Sequence, residues 1–199
     1  MDHLDKLNTL NNYIRIYDNV LPTATLNKFL KICENNKNFF SPGGIVSDTV
    51  EGSVNKKVRN TLVWDLANSE AEESKTNVHW CNLWICLFGK YLKRYEKEIE
   101  VDVRANINTI QVLKYMNEGH YMLHVDHGST IPRTLSFIFF VNDDYEGGEL
   151  SFALPNFSGI SNVEKKSNRM VVWPSNFLFP HGVKPVVKGT RYSVVAWAL

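Results

Sequence analysis

The stretch QVLKYMNEGHYMLHVDHG, residues 111–128, sets the pattern for the back half of the chain. Two short runs rich in Val, Leu, Tyr and Met flank Asn117-Glu118-Gly119, a turn signal, so the stretch reads as strand, turn, strand. Its neighbours repeat the pattern. The spacing predicts strands over 110–116, 121–127, 134–141, 149–154, 170–173, 182–187 and 191–199. Breakers separate them at Asn142-Asp143-Asp144, Gly147-Gly148, Pro174-Ser175-Asn176 and Lys188-Gly189-Thr190. Seven or eight such strands with no helix between them imply an α+β chain that is mainly β. They would form a sandwich or jelly-roll barrel with the front helices packed on one sheet.

In the front half, Leu26, Phe29, Leu30 and Cys33 recur at helical spacing, with Thr23 or Thr25 as N-cap and Pro22 near the start. A longer helix is expected over 73–96, where Trp80, Trp84, Leu87, Phe88, Tyr91 and Tyr95 mark one face. Lys90, Lys93, Arg94 and Lys97 gather in its last turns beside Glu96, Glu98 and Glu100, as on a solvated helix end. No repeat, linker or low-complexity tract interrupts the chain. One domain over 1–199 is expected, with a mixed front part (1–108) and a jelly-roll core (109–199).

Composition narrows the function. In 199 residues, 22 Lys+Arg balance 21 Asp+Glu, a formal charge of +1. That balance argues against a dedicated nucleic-acid or polybasic membrane surface. No apolar run approaches the ~20 residues of a membrane span. The first residues, MDHLDKLNTLNN, lack the basic and apolar regions of a signal peptide. Cys33, Cys81 and Cys86 form no disulfide pattern, Cys81 and Cys86 read as packing thiols, and a cytoplasmic setting is expected.

The chemistry concentrates in the predicted strands. In His124-Val125-Asp126, positions i and i+2 would project together into the barrel. His181 opens a later strand after Pro180. Two imidazoles and one carboxylate form the facial triad of non-haem iron(II) sites, which leaves three cis positions open. Arg191 follows; a hairpin would return it near the metal, where a buried guanidinium calls for an anionic partner held bidentately. His120 and His124 are four apart, but Gly119 and the strand pattern argue against a helical zinc pair, and His127 is expected at the rim.

At these residues the chain resembles the Fe(II)/2-oxoglutarate-dependent dioxygenases, and within them the prolyl 4-hydroxylase-like branch. QVLKYMNEGHYMLHVDHG resembles the strand pair that carries that family's His-x-Asp. LSFIFFVNDDYEGGELSF (135–152) resembles its central strand and Gly-Gly turn, and WPSNFLFPHGVKPVVKGTRYSVVAWAL (173–199) its closing strands. More loosely, IYDNVLPTATLNKFLKIC (16–33) resembles its opening strand and helix, and KKVRNTLVWDL (56–66) its substrate-side strand.

The resemblance implies a double-stranded β-helix in which His124, Asp126 and His181 bind Fe(II). Arg191 and Tyr115 would hold 2-oxoglutarate, with O2 as second co-substrate and ascorbate as an accessory reductant. Tyr121, Arg133 and Trp197 are implied on the substrate side. Phe140 stands where some hydroxylases place a co-substrate tyrosine, so Thr190 or Ser136 would assist Arg191 and Tyr115. The segments 41–57 and 155–167 are the candidates to close over substrate.

The implied reaction hydroxylates a protein or peptide, foremost a prolyl residue, with release of succinate and CO2. The alternatives are the same chemistry on a small molecule or free amino acid, less readily a nucleobase, or a jelly-roll binding protein without turnover. Demethylases acting on nucleobases carry a second arginine where this chain has Trp197.

Overall fold

Apolar residues alternate along the strands of the computed structural model, which describes residues 9–45, 53–66 and 74–199. In β7 (Leu135–Phe140) every residue is buried, but Phe137 and Phe139 belong to one core while Ile138 and Phe140 belong to another. A strand buried on both faces must lie inside a sheet with a layer on either side.

In chain order the front elements are β1 (Arg15–Asp18), α1 (Thr23–Asn35), β2 (Ser41–Pro42), β3 (Arg59–Asn60), β4 (Leu62–Asp65) and α2 (Lys75–Ile99). The back half adds β5 (Ile107–Tyr115), β6 (His120–His124), β7, β8 (Glu146–Gly147), β9 (Leu150–Phe152) and β10 (Ser161–Asn162). It closes with β11 (Arg169–Pro174), β12 (His181–Val183), β13 (Val186–Lys188) and β14 (Arg191–Ala198).

Among the described residues these strands form a seven-stranded sheet in the order β1-β11-β7-β14-β5-β4-β2 and a five-stranded sheet in the order β10-β9-β12-β6-β3. A ribbon of β13 and β8 joins them at one end. This is the double-stranded β-helix that the resemblance implies, mainly β, with the helices on one sheet.

The helices cover the outer face of the larger sheet. Phe29 and Cys33 of α1 and Trp80, Trp84 and Phe88 of α2 pack against Ile110, Phe137, Phe139 and Val194. Trp84 is the hub, its ring 4.9 Å from Phe29, 5.6 Å from Phe88 and 5.0 Å from Phe139. The inner face of the same sheet offers Leu113, Ile138, Val171 and Trp173 to Leu150, Phe152 and Val183 of the smaller one. The site lies between these sheets.

The sequence reading differs from the structure at several termini. Pro22, not Thr23 or Thr25, stands at the cap of α1, with no side-chain cap bond; α1 begins on the fixed φ that proline supplies. Ser74 caps α2 by accepting from the Asn77 amide. The cations near the end of α2 are paired, Lys93 with Glu96 and Arg94 with Glu98, each at 2.8 Å. Cys33 is buried, whereas Cys86 lies exposed on α2 instead of packing. The expected 182–187 strand is two strands, β12 and β13, because Val186 turns to pair with Gly147. Residues 1–8 and 46–52, on which the leader reading and part of the 41–57 segment fall, lie outside the described residues. No described helix is long and apolar enough to cross a membrane.

Candidate functional site

β12 pairs antiparallel with β6 so that His181 sits opposite His124. That register places two imidazoles side by side, ring centroids 4.5 Å apart, facing the space between the sheets. Asp126 completes the group, its oxygens 3.6 Å from His124 Nε2 and 3.2 Å from His181 Nε2. Among the described residues this is the group of His, Cys, Asp and Glu able to hold a metal ion, with ligand atoms all within 4.8 Å of one another.

The backbone fixes which ring nitrogens face inward. His124 Nδ1 lies 2.8 Å from the Met122 carbonyl and His181 Nδ1 lies 3.0 Å from the Phe179 carbonyl. A carbonyl only accepts, so each Nδ1 carries a proton and each Nε2 faces Asp126. Burial, reinforced by His181, holds the His124 imidazole below its ordinary pKa against the pull of Asp126, which favours the neutral form that ligates.

Asp126 reaches this position by a route the alternation of a strand does not predict. β6 ends at His124, and Asp126 lies beyond it in a bend. The chain leaves the sheet there because the His127 amide donates to the Ser175 carbonyl and the Gly128 amide to the Ile131 carbonyl. Ser136 Oγ on β7 then donates to Asp126 Oδ2 at 2.7 Å, and Ser175 Oγ lies 2.7 Å from Ser136 Oγ. Burial pushes the Asp126 carboxyl up, but His181 and the contacts from both imidazoles outweigh it and hold the group well below the usual carboxylate range. An ionised carboxylate beside two inward-facing Nε2 atoms is a donor set suited to a divalent transition metal with further positions left open.

Aromatic walls enclose the group. Tyr121 stacks on His124 with centroids 3.7 Å apart, and Trp173 meets His181 edge-on at 4.8 Å. Burial pushes the Tyr121 phenol up to about 12, so it stays neutral at ordinary pH.

Arg191 opens β14 in the larger sheet, opposite Tyr115 of β5. It is not the return arm of a hairpin with His181, as expected, because β13 carries the chain from one sheet to the other. Its side chain is fully buried, with the guanidinium carbon 5.0 Å from the Tyr115 ring and 5.3 Å from the Phe140 ring. Nη1 reaches Ser193 Oγ at 3.3 Å, while Nε and Nη2 have no partner. A buried guanidinium with one edge of its fork unpaired fits a carboxylate held by two hydrogen bonds.

A cavity of about 900 Å³ opens at the three triad residues. Tyr115, Tyr121, Arg133 and Trp197 line it as well. Arg133 lies flat over Trp197, guanidinium carbon to ring 3.8 Å, with Nη1 3.6 Å from Asp126 Oδ1. His127 is exposed at the mouth, its Nδ1 2.8 Å from the Arg133 carbonyl. His120 sits at the start of β6 with its ring nitrogens on the carbonyls of Glu118 and Lys57, away from the triad. Of the two expected closing segments, Ser41–Gly44 lines the cavity and 155–167 contributes no lining residue.

Sequence reasoning missed several neighbours. Ser136, considered for the co-substrate, instead bonds Asp126; its signal was one hydroxyl in the apolar run of β7. Arg59 lines the cavity and lies 4.8 Å from the Tyr121 ring, with Nη1 on the Gly44 carbonyl at 2.7 Å. Gly128–Ile131 forms an unforeseen part of the rim.

Known proteins share these features. A family model described as the 2OG-Fe(II) oxygenase superfamily matches residues 110–199. Human prolyl 3-hydroxylase 2 is 38% identical over 66 residues, 33% of this chain and 9% of that protein. A PKHD-type hydroxylase from Synechococcus sp. (strain CC9902) is 38% identical over 84 residues, 39% of this chain and 35% of that protein. The chain therefore matches about a third or less of the length of these relatives.

Among solved structures, a Pseudomonas putida prolyl-4-hydroxylase superposes with a TM-score of 0.72 at 18% identity, over 98% of this chain and 96% of that one. A prolyl hydroxylase from Trichoplax adhaerens, in complex with a hypoxia inducible factor peptide fragment, gives 0.70 at 17% identity over 99% and 87%. At these identities the likeness is one of fold.

Proposed function

Because residues 110–199 carry the core of the 2OG-Fe(II) oxygenase superfamily, we propose that this chain is an Fe(II)- and 2-oxoglutarate-dependent dioxygenase, one domain over 1–199, that hydroxylates a prolyl residue in a peptide or protein. The observation that carries the reading is the convergence of three ligands on one cavity, with a buried guanidinium behind Tyr115, which lines it. The names of the relatives, prolyl 3-hydroxylase and prolyl-4-hydroxylase, support the substrate class.

His124 and His181 would hold the metal through Nε2, and Asp126 through its carboxylate. Iron with bound 2-oxoglutarate supplies the oxidising power to place one oxygen atom of O2 in a substrate C–H bond, the other oxygen leaving in succinate as CO2 is released. The chain's own groups prepare that chemistry. The Met122 and Phe179 carbonyls orient the imidazoles, and Ser136 orients the carboxylate. Arg191 would bind the distal carboxylate of 2-oxoglutarate, with Tyr115 beside it. Trp173 and Phe152 exclude water behind His181. Tyr121, Arg133 and Trp197 form the wall that meets the substrate.

Succinate release from 2-oxoglutarate, measured with Fe(II) and O2, tests the reading. Proline-containing peptides should stimulate it, and free amino acids or methylated oligonucleotides should not. Anaerobic addition of Fe(II) and 2-oxoglutarate should give the weak visible charge-transfer band of the chelate, abolished in Asp126→Ala and His181→Ala. Wild-type turnover in both variants would refute the assignment of the ligands.

A further inference from the structure

A second, smaller cavity of about 140 Å³ adjoins the first at Pro42 and Arg59, which line both. Strand register builds it. Pro42 of β2, Leu62 of β4 and Lys114 of β5 stand opposite one another, so their side chains form a row on one face of the larger sheet. It is the face that carries Ile110 and Val112 toward the helices. Val54, Lys56 and Met116 complete the walls. Thr61 Oγ1 donates to the Lys114 carbonyl at 3.1 Å, which ties the chain between β3 and β4 to β5.

The charge of this cavity is one-sided. Lys56, Arg59 and Lys114 line it, and among the described residues no Asp or Glu does. Glu118, between the lining residues Asn117 and Gly119, is not part of the wall; its carbonyl accepts from Asn60 Nδ2 at 3.2 Å. None of the three cations is in an ion pair with a described residue. Lys114 is 9% exposed, its ammonium 5.7 Å from the Phe40 ring and 5.6 Å from the Tyr192 ring. Ring faces offset part of the cost of burying that charge, and a carboxylate would offset more. Arg59 places Nη1 on the Gly44 carbonyl, but its Nε is buried with no partner.

Unpaired cations between apolar walls, next to a substrate cavity, are complementary to a carboxylate on a short apolar stem. We propose that this cavity binds an acidic side chain, glutamate or aspartate, of the peptide substrate, across the Pro42–Arg59 wall from the metal ligands. The proposal rests on the peptide reading above and adds a contact that selects among proline-containing sequences. The cavity is well below the ~300–1,000 Å³ of small-molecule sites, a size suited to one side chain. In the sequence, KKVR (56–59) carries two of the three cations, while Lys114 is hidden in the apolar run of β5.

The test uses protein loaded with Mn(II) and 2-oxoglutarate, which binds without turnover, and a fluorescent peptide with one proline among neutral residues. Glutamate is placed in turn at each position flanking the proline, beside the same peptide with glutamine there. Over a narrow window of positions the glutamate peptide should bind about tenfold more tightly, as for a hydrogen bond to a charged group. The gap should narrow as salt is raised. Lys56→Gln and Lys114→Met, the second of which keeps a buried apolar stem, should each bring the ratio of glutamate to glutamine affinity toward one. Equal affinity for the two peptides at every position, or a ratio that neither variant lowers, overturns the acidic-residue pocket. Peptides with alanine in place of the proline separate this from the prolyl reading: no advantage of proline over alanine overturns that reading, whatever the glutamate ratio shows.

Discussion

Ser136→Ala isolates the contact that holds the proposed metal carboxylate. Ser136 is 1% exposed and Ser175 fully buried, so water has no ready path to replace the lost hydroxyl. The bond removed is short, 2.7 Å, and its acceptor is an ionised carboxylate. A hydrogen bond to a charged group is worth ~1.5–3 kcal/mol net. At about 1.4 kcal/mol per factor of ten, that is roughly a 10- to 100-fold loss of affinity for a divalent ion, the range known for hydrogen-bond partners of metal ligands. Ser175→Ala, one step further from Asp126, should lose less. The assay is Mn(II) titration at neutral pH, with far-UV circular dichroism as a check that the sheets are intact and Asp126→Ala as the reference for full loss. A folded Ser136→Ala protein that binds Mn(II) within twofold of wild type would refute the reasoning.

Other perturbations test other layers. A Cβ at Gly182 would lie 2.7 Å from the Tyr121 carbonyl oxygen and 3.1 Å from the Leu123 amide nitrogen, so Gly182→Ala must spread β12 from β6. A loss of about 1–3 kcal/mol in a urea titration and weaker Mn(II) binding should appear together; an unchanged midpoint would contradict the contact. Trp84→Ala should cost ~3–5 kcal/mol of stability, because the ring is fully buried among Phe29, Phe88 and Phe139. Below the new midpoint the folded variant should keep wild-type Mn(II) affinity, since Trp84 packs on the helical face of the sheet. Burial pushes the phenols of Tyr95 and Tyr192 up to about 12. A raised folded-state pKa gives stability that is complete below the unfolded value near 10 and is lost as pH climbs from about 10 to 12. The urea midpoint should fall across that window, and Tyr95→Phe should flatten the fall.

What the sequence reveals tracks how many residues an element uses to announce itself. β7 and β14, of six and eight residues, carry enough alternation to be read as strands, and the aromatic stripe of α2 spans several turns. β2 and β3 have two residues each, a single repeat of the strand period, and exist because neighbouring strands offer unpaired backbone. A family likeness over 56–66 pointed to β3 alone. The 182–187 segment reads as one strand because its residues suit one; the break comes from β8, which recruits Val186 and Lys188 to a separate ribbon.

The site shows the same division between residue type and placement. His124 and His181 are legible because imidazoles at strand ends are chemically conspicuous. Asp126 was named for strand alternation, yet it arrives through a bend held by Ser175 and Ile131, contacts that no local period encodes. Ser136 is harder still. It is an ordinary residue whose meaning comes from what its hydroxyl faces, a carboxylate. A shift of β7 by one residue would turn Ser136 toward the helices and remove its bond to Asp126. The double burial of β7 forbids that slip, because it would exchange Phe137 and Phe139 with Ile138 and Phe140 between two packed cores. The strand that seems to carry only hydrophobic packing therefore fixes the register on which the proposed metal-binding carboxylate depends.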